Sequence, residues 1–357
     1  MRSSDAIIIG AGIVGLSLAI ELRKKGLSVL IVERGKPGLE ASFAAAGMLA
    51  ASGNEIPQAL RAIAEESARL YPEFVYELEA ESGLKVDLRG QGTILISCEG
   101  DLPEKAELLS PQRLKSLEPA LTLPCNSNRA APKMLAAYLT ERSLDPRALV
   151  AASLKAARHR EVDISSGAEV KSLLVENGHA AGVQTGKTKY AAPIVVNCAG
   201  AWAGRIAPIE FPVKPVKGQM LALVDAPPLK HVVRSKQVYL VPRTNERLVV
   251  GSTLEDAGYN KQTVTGDLQH LFEAAVELVP GVANSLRNEA WAGLRPGTPD
   301  QLPILGETPI PGYFVATGHY RDGILLAPIT ARVIADLITN GKSFHDLSAF
   351  SPSRFAD

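Results

Sequence analysis

The stretch Ile7-Ile8-Ile9-Gly10-Ala11-Gly12-Ile13-Val14-Gly15, answered by Glu33 after a second apolar run, decides how this chain begins to fold. Ala6 to Ile9 is apolar without a break, as in a strand buried on both faces, and the glycines then force a tight turn. Ile13 to Lys25 reads as a helix whose first N–H groups lack intrahelical partners and can face a pyrophosphate. Each glycine has its own task. Gly10 permits the turn, Gly12 lets backbone approach phosphate oxygens, and Gly15 lets the helix lie close on the strand. Leu27 to Val32 reads as the second strand, and Glu33 falls within the roughly 20-residue separation of an acid that binds a ribose hydroxyl. A lone G-x-G-x-x-G is a weak signal. With a strand before it, a helix after it and an acid at the right distance, it predicts a dinucleotide site.

Working outward, 357 residues can bury a large core and divide into two domains. Lys and Arg number 38, as do Asp and Glu, which leaves no net field for nucleic acid or an anionic membrane, so neither is expected as a partner. Cys98, Cys125 and Cys198 form no C-x-x-C pair, and an odd count suits a reducing cytoplasm. The six histidines are scattered without ligand spacing, so no metal is expected. The apolar run Ala6 to Ile20 is too short to span a bilayer, is punctuated by glycine and has no basic leader beyond Arg2. These features predict a cytoplasmic protein.

Further along, Pro37-Gly38 marks a turn before the small-residue tract Ala41 to Leu49, which reads as tight packing or as backbone laid against a ligand. Arg61 to Gly83 has helical periodicity, Val86 to Cys98 alternates like strands, and Pro111 to Leu117 predicts a helix. Pro119, Pro124 and Pro132 mark loops. Asp145-Pro146 is a helix start, with Asp145 as N-cap. Short strands follow at Glu161 to Ile164, Glu169 to Val175 and Ala181 to Thr185. A buried strand at Ile194 to Asn197 then runs into the small-residue turn Ala199 to Gly204, which reads either as a second approach to the cofactor at Gly200 or as a plain strand-to-loop turn. Val213 to Val224, Val238 to Pro242 and Arg247 to Thr253 predict an antiparallel sheet, the last two joined by a hairpin at Thr244-Asn245-Glu246. A helix from Asp267 to Val279 stops at Pro280-Gly281, Tyr313 to Thr317 reads as strand, and Ile324 to Asn340 as a helix ended by Gly341. The alternation predicts an α/β protein with a Rossmann-like dinucleotide domain (1–84, 143–208 and 293–357). An inserted antiparallel-sheet (α+β) substrate domain would take 85–142 and 209–292.

Five patches together carry a resemblance: the opening fingerprint, Ser42 to Leu49, Lys214-Pro-Val-Lys-Gly-Gln219, Trp291-Ala-Gly-Leu-Arg-Pro-Gly297 and Gly318-His-Tyr-Arg-Asp-Gly-Ile-Leu-Leu-Ala-Pro328. In this order they resemble the D-amino-acid oxidase superfamily of FAD enzymes and, within it, the glycine oxidases. The resemblance runs nearly end to end. It implies noncovalent FAD and oxidation of glycine, sarcosine and other small amines to imines, with O2 reduced to hydrogen peroxide. It also implies a homo-oligomer, a tetramer by analogy, and a hand-off of the glycine imine to thiazole synthase for thiamine. Carried over by position, FAD contacts fall on Ile13, Val14, Glu33, Arg34, Ala41, Ser42, Ala46, Gly47, Met48, Val170 and the run His319, Tyr320, Arg321, Asp322, Gly323, Ile324 and Leu325. Substrate contacts fall on Arg295, Arg321 and Tyr239. Leu254 stands where the glycine oxidases carry a pocket-wall methionine, a change that conserves volume and apolarity.

The residues support this chemistry independently. A flavin removes hydride from a neutral amine, so the protein supplies position and electrostatics, and no nucleophile is needed. A substrate carboxylate needs a fixed cation, which Arg295 can supply as a bidentate fork with the Tyr239 hydroxyl beside it. The competing readings are a salt-bridged structural arginine and a half-buried strand tyrosine. Arg321 precedes a helix whose N-terminus would stabilise charge on a reduced flavin; alternatively it pairs with Asp322. Met48 covers an apolar side of the pocket or belongs to the core, and His319 is expected to act through its backbone. Other functions remain open at this level: a quinone-linked D-amino-acid or proline dehydrogenase, a flavin-bearing module of a larger tRNA-modifying enzyme, or a pyridine-nucleotide dehydrogenase.

Overall fold

The computed structural model describes residues 4–123 and 133–355. The loop markers Pro124 and Pro132, and Cys125, lie outside the described residues.

Ala6–Ile9 lies inside a six-stranded sheet, between Ile194–Asn197 and Val29–Glu33, parallel to both. Its unbroken apolar sequence follows from having two buried faces. Ala6 and Ile8 join a core cluster with the helices Ile13–Lys24, Gln58–Ser82, Pro146–His159 and Gly323–Asn340, while Ile7 and Ile9 point to the opposite face. That second face is covered by a small antiparallel sheet, Val170–Glu176, His179–Thr185 and Lys189–Ala191, through Leu173, Ala180 and Val183. Strand order continues outward to Asp163–Ser166 on one side, and to Tyr313–Thr317 and the antiparallel Ile304–Glu307 on the other. Because order reverses at the first strand, a crevice opens at its carboxyl end, where Gly10 turns the chain.

The helix limits follow local chemistry. Asp145 caps Pro146–His159 by accepting from Arg147 N at 2.9 Å. Gly83 and Gly341 end their helices in the left-handed region at φ 66 and 68. Gly323–Asn340 is apolar enough by composition to cross a membrane, but here it packs against the opening helix and Gln58–Ser82 as a core element.

The second large sheet has eight strands, in the order Leu286–Gly297, Lys214–Val224, Leu248–Gly251, Tyr239–Pro242, Val232–Arg234, Thr93–Cys98, Met134–Leu139 and Glu107–Leu108. It is antiparallel except for one parallel pair, Val232–Arg234 with Thr93–Cys98. Several strands escape the sequence reading, among them Met134–Leu139, Val232–Arg234, Leu286–Gly297 and Ile304–Glu307. Leu286–Gly297 carries Arg287, Asn288 and Glu289 and ends in Gly-Leu-Arg-Pro-Gly, a composition poor in strand propensity. It is held by pairing along its whole length with Lys214–Val224. Conversely, Val86 and Asp87, read as strand, lie outside the named strands, and the ladder starts at Thr93.

Candidate active site

A cavity of about 1040 Å3 runs from the glycine turn of the parallel sheet to one face of the eight-stranded sheet. It exceeds the roughly 300–1,000 Å3 usual for a small ligand and suits a dinucleotide with a small substrate beside it.

At the nucleotide end, Gly10 sits at φ 104, and a Cβ there would press on the Cys198 carbonyl. A Cβ on Gly15 would run into the Gly10 carbonyl oxygen, so Gly15 serves helix-to-strand contact and does not line the cavity. The opening helix has no acid in its first turn, leaving its N-terminus electropositive. Its N–H groups are not all free, as the sequence reading had them: Ile13 N donates to Ser42 Oγ at 2.9 Å. Glu33 is buried and accepts from Ala11 N and Gly35 N, both at 2.8 Å, which orients its carboxylate and leaves lone pairs for a ribose hydroxyl. Arg34 lies over the Trp202 ring at 3.5 Å and pairs with Glu40 at 2.6 Å. With Val170 and Gly200 these residues wall the far end of the cavity. The glycine turn, the helix N-terminus and the oriented acid form a donor set that fits the pyrophosphate and ribose of FAD.

The tract Ala41 to Met48 is where the two large sheets meet. Trp291 Nε1 donates to the Ala44 carbonyl at 3.0 Å, and buried Arg243 donates to the Ala46 carbonyl at 2.5 Å. Tight packing and ligand contact, read as alternatives, are both realised: Gly293 faces Ala44 where a Cβ would not fit, while Ala41, Ser42, Ala46, Gly47 and Met48 line the cavity.

On the other wall, strand register gathers side chains that are distant in sequence. Trp291, Met220, Gly251, Tyr239, Arg234 and Leu95 are successive cross-strand partners, so they share one face of the sheet. Arg295 donates to the carbonyls of Lys217 and Thr253, both at 3.3 Å, and to Ser252 Oγ at 2.5 Å. Among the described residues no carboxylate pairs with Arg295, which leaves its charge for a ligand. Gly218 leaves room beside it, and a Cβ there would push the guanidinium out of this position. Buried Lys217 is neutralised by Glu255 at 3.0 Å, and Gln219 ties Glu255 to Asp267, fixing the loop that cradles Arg295. Tyr239 donates to Met220 Sδ at 3.1 Å. A thioether is a weak acceptor, so the hydroxyl can turn to a carboxylate. Burial raises its pKa, which keeps it a donor. Leu254 lines the cavity but is 66% exposed, placing it at the rim and not deep in the wall.

The third side is the turn before Gly323–Asn340. His319, Tyr320, Arg321, Asp322, Gly323 and Ile324 line the cavity; Leu325 does not, being turned into the core, where its carbonyl accepts from Ser67 Oγ at 2.6 Å. Burial pushes His319 down to about 4, and its Nε2 meets Thr330 Oγ1 at 3.0 Å, so the ring is neutral at ordinary pH. Arg321 forms no ion pair with Asp322 among the described residues and lies over the Tyr320 ring at 4.9 Å. Burial raises the Asp322 carboxyl to about 7, against the opposing pull of Arg321.

Trp202, Arg234, Ser252 and Glu55 also line the cavity and were not singled out from sequence. Trp202 left a signal, an aromatic within an Ala/Gly turn. Arg234 left none, because its three-residue strand is too short to show alternation.

Comparison with known proteins agrees with this architecture. Residues 5–337 match the DAO family, described as FAD dependent oxidoreductase. A glycine oxidase of Pseudomonas aeruginosa is 32% identical, covering 98% of this chain and 99% of that protein. A bifunctional protein ThiO/ThiG of Trichormus variabilis is 36% identical over 98% of this chain, which spans only 55% of that longer relative. The crystal structure of glycine oxidase from Geobacillus kaustophilus matches with a TM-score of 0.91 at 30% identity over 100% of both chains. The nucleotide cradle, the cation-bearing sheet and these likenesses together show that the chain belongs to the DAO family of FAD-dependent oxidoreductases.

Proposed function

We propose that the chain oxidises glycine, and other small amines such as sarcosine and D-amino acids, to the imine with reduction of O2 to H2O2. The observation that carries this reading is Arg295: a half-buried guanidinium with no carboxylate partner among the described residues, facing a cavity continuous with the nucleotide cradle, with a tyrosine hydroxyl on the same wall. Arg295 and Tyr239 hold the substrate carboxylate by charge-assisted and neutral hydrogen bonds. The glycine turn, the opening helix N-terminus and Glu33 would hold FAD, which would supply the acceptor for hydride from Cα and the route for the electrons to O2. The N-terminus of Gly323–Asn340, at the cavity edge, offers N–H dipoles to negative charge. Neutral His319 is engaged with Thr330, so no side-chain base is assigned, and the amine sheds its proton before the transfer. The imine leaves for hydrolysis or for thiazole synthesis, a hand-off supported by relatives whose name joins ThiO to ThiG.

The test is to add glycine to the yellow protein without oxygen and follow the visible flavin band. Bleaching that reverses on admitting air is expected. A band that persists under saturating glycine removes glycine as the substrate, and bleaching that air does not reverse replaces the oxidase with a dehydrogenase.

A further inference from the structure

The proposed reaction uses Arg295 and Tyr239, yet the same wall carries a second guanidinium. Arg234 is the direct cross-strand partner of Tyr239, so it stands one strand farther along the same face, about 4.8 Å away in the ladder. It lines the cavity and is only 7% exposed. Its Nε and Nη2 are closed off within the fold and find no hydrogen-bond acceptor among the described residues. The donor left to face the cavity is Nη1, on the side of Glu55.

Two acids approach Arg234 from different sides. Glu141 is buried, 3.7 Å from Nη2, and balances the charge from within the fold. Glu55 is 3.2 Å from Nη1, and its side chain is 43% exposed at the cavity mouth. A half-exposed ion pair of this kind is weak and exchangeable. Glu55 therefore behaves as a resident carboxylate on a site shaped for one, and an incoming anion that displaces it leaves the local charge unchanged.

We infer that Arg234 is a second anion subsite, which extends the substrate class to small amines carrying a further carboxylate besides the one held by Arg295 and Tyr239. This rests on the oxidase reading for the place of the first carboxylate. Arg321, at the same mouth, adds positive potential, and the Asp322 carboxyl senses Arg321, Glu55 and Arg234 together, which places all four groups around one opening.

Matched pairs test it: iminodiacetate against N-ethylglycine, and D-aspartate against D-2-aminobutyrate, each pair similar in size and differing in charge. In at least one pair the ratio of kcat/KM, charged over neutral, should favour the charged member. Arg234→Gln should lower that ratio roughly tenfold or more, as for loss of a charge-assisted contact, and Glu55→Gln should raise it. Ratios that favour the neutral member in both pairs overturn the subsite, as do substitutions that change both members of each pair by the same factor. If Arg234→Gln does not fold, Glu55→Gln alone decides by the sign of its shift. If glycine fails to reduce the flavin, the oxidase reading falls separately. The subsite is then judged by glutarate against pentanoate perturbing the flavin spectrum: tighter glutarate binding that Glu55→Gln strengthens supports it, and equal binding overturns it.

Discussion

The two ends of the cavity are built on opposite principles. The nucleotide end comes largely from one contiguous stretch, Ala6 to Ser42, and works through backbone: a glycine turn, a helix N-terminus, and an acid oriented by two backbone N–H groups. The amine end is assembled from six strands of the second sheet and works through side chains whose positions depend on register. Damage at the first end should therefore appear as lost structure and lost flavin. Damage at the second should appear as altered kinetics in an intact yellow protein.

The largest effect expected is at Gly15. Gly15→Val forces side-chain atoms into the Gly10 carbonyl, at a cost of about 3 kcal/mol, and should yield poorly folded protein with little flavin. Full flavin content and an unchanged Tm would remove the close helix-to-strand contact from the account. Arg295→Ala should keep the flavin and raise the apparent KM for glycine about hundredfold, equivalent to about 2.8 kcal/mol. Kinetics like those of the parent would dissolve the contrast between the two ends.

Asp322 sharpens the comparison at the place where the ends meet. Its carboxyl is raised from an ordinary 3.8 to about 7 by burial, so the folded state holds a proton that the unfolded chain releases. That contribution is fully present below about pH 4 and is lost as pH rises through about 7. Tm measured from pH 4 to 8 should fall less steeply in Asp322→Asn than in the parent, with the variant the more stable above pH 7. Parallel curves would mean that Asp322 is ionised throughout. The smallest effect belongs to Tyr239→Phe, which removes one hydrogen bond of about 1 kcal/mol while Arg295 remains. Its KM for glycine should rise about fivefold with flavin reduction otherwise normal, and an unchanged KM would remove the hydroxyl from the substrate contacts.

Legibility follows the same division. The strand Ala6–Ile9, the helix Pro111–Leu117, the Asp145 cap and the strand Ile194–Asn197 appear where periodicity and capping chemistry put them, because their causes lie within a few residues. Leu286–Gly297, which carries Arg295, does not read as a strand, since its pairing partner lies some seventy residues earlier in the sequence. Arg295 was nonetheless found, through the Trp291 to Gly297 patch, and so was Tyr239, whereas Arg234 and Ser252 on the same wall were not. Leu325 went the other way: it sits inside a motif that lines the cavity, but its helical phase turns it into the core.

Sequence alone determined the nucleotide turn and the two classes of layer, because glycine conformations, caps and apolar runs act locally. Its short patches also carried the resemblance to the family that comparison with known proteins shows. Only the tertiary structure decided that Ser42 caps the opening helix, that Gly218 clears space for the Arg295 guanidinium, and that Arg234 stands beside Tyr239 on the cavity wall. Those relations are set by strand register and by contact between separate sheets, and a side chain's neighbour across a ladder leaves no mark in its own stretch of chain.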